Sequence, residues 1–560
     1  MSVDPVPSAD FLADIFRSLE RSASATVLRE LHDGAPVSVT GSELLSLVSQ
    51  ARTFLRGRDL KKGDRCALVA HNSIRWVAMD LAIMAEGLIC VPLYARQAVP
   101  ELVAMMRDCG PSLVICGDES LRGAISQGLS GVATGLLEDG FKPDARGISV
   151  TPGMAIDEYG QVVIIYTSGT SGEAKGVVLS AGNIAHMLAC TSGRLDQLMG
   201  KTQRQDRVFH YLPFCFAGSW IMLLTCLLRG SLLTLNTDLT KLAGDMRAAD
   251  ADYFLNVPAL LERMRKAVDE QLWKTGGFAL SVYSRAKGAW IRRQEGKQKV
   301  SDAFWSGIAN SLVFPTIRKK MIGSNLRALI CGSAPLSVET QQYFNMLGIV
   351  VLQVYGLTET TAICTMDDPR GPEPGKVGPA IPGVEMKLDD NGEILVRGPN
   401  IFPGYWNRPR QTAEVLREGW FHTGDQGEVD GSGNWRMIGR IKNLIILGSG
   451  HNIAPEPIED RLLQLLPGAG HVVLIGNGRG YLTAVVTGAV ETRKVEEALN
   501  ELNATLPHYK QIRGFHLHPE GFSIENGLLT ANGKLKRDAI AERLRSEIEN
   551  MYRAKMEAAG

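Results

Sequence analysis

Net charge is missing from this chain. Sixty Lys+Arg stand against sixty Asp+Glu among 560 residues, so no whole-molecule field draws it to nucleic acid, and any charge effect must be local. Cysteine is sparse: nine residues, odd in number, set mostly in apolar stretches, with no C-x-x-C pair. They read as reduced core residues of a cytoplasmic protein, which excludes a disulfide framework and a zinc site. A secretory leader is not expected, because MSVDPVPSADFLADIF carries acids where a basic n-region belongs and no apolar run follows it. A membrane-spanning run is lacking too. The uncharged stretch from Tyr211 to Leu228 contains Pro213 and Gly218 and stops at Arg229, which fits a strand, a turn and a core helix better than a span. There is no internal repeat and no low-complexity tract.

What is present is 45% hydrophobic and 21% charged residues, enough for two to four domains. The first 440 residues alternate Val/Ile/Leu-rich runs with helical patterns, the signature of parallel sheets flanked by helices in an α/β protein. Arg65 to Ala70 is one such strand. Asn72 and Ser73 can then cap a helix through Trp76, Leu81, Ile83 and Met84, ending near Gly87 before a strand at Ile89 to Leu93. The unit recurs at Val162 to Tyr166, Ala328 to Cys331 and Val350 to Tyr355. Each of these last runs breaks into Gly, Ser or Thr, where α/β proteins place ligands. From about Val384 to 438 hairpins take over, forming a smaller β subdomain. Past Arg440 a small α+β C-terminal domain is expected, with HVVLI and YLTAVV as a hairpin, a helix at about 493 to 505, and a last amphipathic helix through Ile540, Leu544, Ile548 and Met551.

The densest chemistry is YTSGTSGEAKGVVLS at 166 to 180. Its glycines let backbone approach a ligand, its hydroxyls donate, and Lys175 adds positive charge, as a polyphosphate cradle requires. It is not a Walker loop, since G-x-x-x-x-G-K-S/T does not occur. VYGLTETTA at 354 to 362 ends another strand with an aromatic face, a hydroxyl and a carboxylate, suited to adenine, a phosphate and Mg²⁺. In GWFHTGDQG at 419 to 427, Asp425 sits in a tight turn and can accept ribose hydroxyls. GRIKNLIILGSGHNIAPEPIE at 439 to 459 and LTANGKLKR at 529 to 537 follow.

In order, spacing and content these five motifs resemble the adenylate-forming (AMP-binding) enzyme superfamily, and GSAPLS at 332 to 337 looks most like the long-chain fatty acyl-CoA synthetases. The resemblance runs through essentially the whole chain. It implies a large domain over 1–440, a hinge at 441–443 on Lys442, and a small mobile domain over 444–560. It further implies that Thr167, Ser168, Gly169, Thr170, Ser171, Gly172 and Lys175 hold the triphosphate of ATP, with Thr167 and Glu359 meeting Mg²⁺. Gly332, Ala334 and Tyr355 would line the adenine, Gly356 would also lie in the ATP/AMP site, Thr358 would touch the α-phosphate, and Asp425 and Arg440 would bind the ribose. Lys534 would bridge the carboxylate and the α-phosphate, with Lys536 as the second choice. Ser449 and Gly450 would border the CoA channel. The chain departs from the family at Phe216 in LPFCF, where a histidine is frequent at the acyl pocket, at Asn443 in place of a common aspartate, and at Ser449 in place of a usual glycine.

The implied function is ATP-dependent activation of a long-chain fatty acid to acyl-AMP, followed by thioester formation with CoA. The alternatives are an acyl-AMP ligase loading a carrier protein, a ligase for another acid, and a non-catalytic acyl- or nucleotide-binding protein. Monomer and homodimer are both open. The segment 273–320 stands apart. Ten Lys and Arg there oppose only Glu295 and Asp302, interleaved with Trp290, Phe304, Trp305 and Phe314. It reads as a solvated helical pair, with peripheral contact to anionic lipid as the alternative.

Overall fold

The computed structural model describes residues 10–32, 36–142, 157–168, 174–200, 204–530 and 533–557. The strand–helix alternation gives the α/β architecture expected of it. Among the described residues one sheet has eight strands, six of them parallel, including Tyr253–Asn256, Ala328–Cys331 and Val350–Tyr355. A second sheet has seven strands, with Arg65–Val69 and Ile89–Leu93 parallel at its centre and the hairpin Gln161–Ser168/Ala174–Ser180 toward one edge. Ser73 caps the helix Ile74–Ala85 by accepting from the Trp76 amide. That helix is buried on nearly every side, as is Ala217–Arg229, because both lie within the shared core instead of on a surface. The uncharged run from 211 is thus a turn and a thirteen-residue core helix, and no described helix is long and apolar enough to cross a membrane.

A five-stranded antiparallel sheet covers Glu385–Leu388 to Trp435–Arg440. Beyond it, Ala469–Ile475, Leu482–Gly488 and Ile512–His518 form a three-stranded sheet. Alternation along its strands sends Val472 and Leu474 into one core with the helices Glu456–Leu465 and Thr492–Asn503. Val473 and Val485 go to the opposite core, with Ile540, Leu544 and Ile548. Here the structure corrects the sequence reading. The final helix is two, Arg537–Arg543 and Arg545–Glu557, broken at Leu544, whose backbone leaves the helical region while its side chain stays buried against the sheet. Filling that core outweighs one unbroken run of hydrogen bonds.

The nine cysteines are unpaired, and all but Cys190 are buried. The described residues contain no cluster of three or more His, Cys, Asp or Glu able to hold a metal.

Candidate active site

The strands Gln161–Ser168, Ala328–Cys331 and Val350–Tyr355 end on one cleft with a volume of about 1690 Å³, closed on its far side by the C-terminal unit. Of the residues singled out from sequence, Thr167, Lys175, Gly332, Gly356, Thr358, Glu359, Phe216, Arg440, Lys442, Asn443, Lys534 and Lys536 line it. Gly169, Thr170, Ser171 and Gly172 lie outside the described residues, and Ser168 is the last residue of its strand to be described.

The hairpin register sets Thr167 opposite Lys175. Lys175 Nζ sits 5.0 Å from the centre of the Tyr405 ring, and the Tyr405 hydroxyl donates to Glu359 Oε1 at 2.8 Å. Tyr405 reaches this position because Gly404–Tyr405 pairs with Val177 and Val178. The remaining Glu359 oxygen, Oε2, accepts no hydrogen bond from a described residue. A free carboxylate oxygen on a cleft that the Thr167 side chain also lines offers hard oxygen donors that suit Mg²⁺, which keeps waters and substrate phosphates as its other ligands.

Gly356 has to be glycine for packing: a Cβ there would lie 2.3 Å from the Ala362 carbonyl oxygen. Around the two strand ends Ser333, Thr361 and Ala362 hold φ of 73°, 53° and 96°, left-handed backbone that non-glycine residues adopt at a cost of about 1–3 kcal/mol each. Such strain is common where a loop must present itself to a ligand.

Asp425 is buried. Its Oδ2 accepts from the Tyr355 hydroxyl at 2.9 Å and its Oδ1 pairs with Arg440 Nε at 2.8 Å. Burial raises its pKa, while Arg440 and Tyr355 pull the other way. Tyr355 and Asp425 do not themselves line the cleft; they brace Arg440 from behind. Ala334 is exposed and outside the cleft. Ser449 and Gly450 occupy an exposed turn between Ile445–Ile446 and Asn452–Ile453, with the Ser449 hydroxyl 2.9 Å from His451 Nδ1, and they do not reach the cleft either. Phe216 caps Ala217–Arg229 at the cleft wall, its ring 6.1 Å from that of Tyr94. Asn443 donates to Glu456 Oε1 at 2.6 Å.

The two lysines of LTANGKLKR separate cleanly. Lys534 enters the cleft, and its pKa is lowered by desolvation first and Arg440 second, with Asp425 and Glu359 opposing. The residue is nonetheless solvent-exposed, and the charges acting on its ammonium are Arg440, Asp425 and Glu359. Lys536 instead pairs with Glu101 at 3.1 Å, a contact between positions 435 residues apart. Tyr405 and Glu101 escaped the sequence reading. Neither belongs to a glycine-rich strand end, and only the pairing of distant segments makes them neighbours of the cleft.

An α/β body whose strands end on one cleft, facing a small α+β unit that supplies a lysine, is the architecture of an enzyme built around a nucleotide-sized ligand. The chain belongs to the AMP-binding enzyme family, which matches residues 15–406, and the AMP-binding enzyme C-terminal domain matches residues 442–556. It is an adenylate-forming enzyme. Among its relatives, long-chain-fatty-acid–CoA ligase FadD15 of Mycobacterium bovis is 25% identical over 96% of both chains. Long chain acyl-CoA synthetase 3 of Arabidopsis thaliana is 27% identical over 99% of this chain and 94% of its own. The ATP-bound crystal structure of MatB from Rhodopseudomonas palustris superposes with a TM-score of 0.73 at 24% identity, covering 96% of this chain and 99% of that one.

Proposed function

We propose that the protein activates a long-chain fatty acid with ATP and transfers the acyl group to CoA. The observation that carries this reading is the continuity of the cleft. The same cavity that exposes Thr167, Glu359 and Lys534 is also lined by Leu195, Ile221, Met222, Leu255 and Ile330, apolar side chains that can receive an alkyl chain. The names of the relatives point the same way.

In this reading a carboxylate oxygen attacks the α-phosphorus of ATP, forming acyl-AMP and expelling pyrophosphate. The CoA thiol then attacks the acyl carbon, forming the thioester and releasing AMP. Thr167 and Glu359 would hold Mg²⁺, which would supply neutralisation of phosphate charge. Lys175 and the glycine-rich loop hold the triphosphate, Thr358 and Lys534 meet the α-phosphate, Gly332 and Gly356 border the adenine, and Arg440, braced by Asp425, meets the ribose. No protein nucleophile is required, so catalysis rests on placing positive charge where negative charge develops. The domains divide at a hinge over 441–443. Lys534 lines the cleft and no residue of the 448–455 loop does, although both belong to the small unit; a turn of that unit about Lys442 between the two steps would bring the loop in. Contact with a membrane through 273–320 fits an apolar substrate.

ATP–pyrophosphate exchange across a panel of acids, with AMP release measured with and without CoA, tests the reading. Each added CH₂ should contribute about 0.8 kcal/mol, roughly fourfold in affinity, until the apolar branch is filled. Preference for acetate, benzoate or an amino acid over dodecanoate would overturn the substrate assignment. AMP release that ignores CoA and requires a carrier protein would overturn the acceptor.

A further inference from the structure

The described surface carries thirteen exposed large hydrophobic side chains, and six of them, Trp273, Phe278, Ile291, Val300, Phe304 and Leu312, fall within one stretch of the chain. Their exposure runs from 50% for Ile291 to 100% for Val300. They belong to the helices Pro258–Thr275, Gly277–Gln294 and Val300–Ile308 and the turn that follows, Ala309–Val313. This is not loose chain. The inner side of the same hairpin, through Val282, Tyr283, Ala286, Ala309, Val313 and Phe314, is buried in the core beneath the eight-stranded sheet. The hydrophobic residues are therefore held outward by a well-anchored scaffold.

Charge on the same surface is one-sided. Of the two acids between 274 and 320, Asp302 is engaged by Arg292 and Glu295 by Lys297. Lys287 pairs with Asp269 of the preceding helix. Lys274, Arg293, Lys299, Lys319 and Lys320 have no ion pair with a described acid. Cations and rings also interleave: the Arg285 guanidinium lies 4.2 Å from the Trp305 ring centre, and Trp305 meets Phe304 edge to face at 5.3 Å. Val300 and Phe304, four residues apart, share the exposed face of Val300–Ile308, and Thr316 and Lys320 share the exposed face of the following helix, Phe314–Ile322.

An acidic protein would satisfy the lysines but leave six hydrophobic side chains facing polar groups. Nucleic acid would offer stacking to Trp273 and Phe304 and nothing to Val300, Ile291 or Leu312. A bilayer with anionic headgroups satisfies both sets, with apolar tips entering the headgroup boundary while cations stay at the level of the phosphates.

We infer that the helical hairpin over 273–320 is a docking surface for anionic lipid bilayers. It rests on the proposed long-chain substrate only for its purpose, delivery of an apolar acid, and not for its geometry.

Co-sedimentation of the full chain with vesicles tests it, using equimolar phosphatidylcholine and phosphatidylglycerol against phosphatidylcholine alone. The protein should pellet with the mixed vesicles at low salt and be largely released at high salt. The quadruple variant Arg293→Gln, Lys299→Gln, Lys319→Gln, Lys320→Gln should lose about fivefold in partitioning per charge, several hundredfold in all. The double variant Val300→Ser, Phe304→Ser should abolish whatever binding survives high salt. Both should keep wild-type pyrophosphate exchange with water-soluble octanoate, which reports an intact fold. No pelleting with mixed vesicles, equal pelleting with neutral ones, or variants that bind like wild type would each overturn the docking surface. So would a wild-type dimer in gel filtration that Val300→Ser, Phe304→Ser splits, since the face would then belong to a second copy. Vesicle binding without exchange on any long-chain acid would instead refute the ligase reading and leave the docking surface standing.

Discussion

Substituting alanine for Lys534 and, separately, for Lys536 sets two neighbouring lysines against each other. Lys536 makes one ion pair, with Glu101 at 3.1 Å, and the side chains of the pair are 27% and 45% exposed. Screened to that degree, such a pair is worth about 0–1 kcal/mol, so Lys536→Ala should slow adenylation by no more than about fivefold. Lys534 stands among Arg440, Asp425 and Glu359 in the cleft, where removing one preorganised charge-stabilising donor typically costs about 2.7–4 kcal/mol, a factor of 10²–10³ in rate. The assay is pyrophosphate exchange for the first half-reaction and thioester formation from supplied acyl-AMP for the second. Lys534→Ala should lose the first and keep the second. A pH profile adds an independent reading. The protonated ammonium is the working form, and its pKa is lowered from the ordinary 10.5 by desolvation and by Arg440, so adenylation should fall as pH rises through that lowered value. Lys534→Arg, whose guanidinium stays charged, should move the alkaline limb upward. Equal losses in the two alanine variants, or loss of both half-reactions in Lys534→Ala, would refute the assignment.

Three further outcomes are expected. Tyr405→Phe keeps the ring beneath Lys175 but removes the 2.8 Å hydrogen bond to Glu359; a bond to a charged group is worth about 1.5–3 kcal/mol, so the Mg²⁺ concentration needed for half-maximal exchange should rise by roughly tenfold or more, and an unchanged Mg²⁺ titration would remove Tyr405 from that role. Glu359→Gln preserves shape and removes the metal's charge partner, so it should abolish Mg²⁺-dependent exchange with the thermal unfolding temperature little changed. Lys442→Pro restricts φ at the turn Ile441–Asn443 and should spare exchange while blocking CoA transfer; parallel loss of both steps would argue for a static site.

Local chemistry was legible in the sequence. Ser73 before an apolar periodic run specified the helix Ile74–Ala85, and Val/Ile-rich runs broken by Gly and Ser specified Ala328–Cys331 and Val350–Tyr355 at their observed bounds, because caps and β-branched runs act over a few residues. The family, too, lay in short motifs. Other features depended on contacts between residues far apart in the chain. Tyr405 meets Glu359 only because a two-residue strand adds to the edge of a distant hairpin, and Lys534 differs from Lys536 only in which wall of the cleft each one faces. The helix expected to run through Leu544 breaks there to bury that side chain. In the basic hairpin the sequence marked Trp290, Phe304, Trp305 and Phe314 as its aromatic set, yet Phe314 is core, Trp290 and Trp305 are half-buried, and of the four only Phe304 is fully outward, joined there by Trp273, Phe278, Ile291, Val300 and Leu312. Composition establishes that a helix has an apolar and a basic side, but which apolar residues remain in solvent is decided by what the rest of the chain packs against the other side.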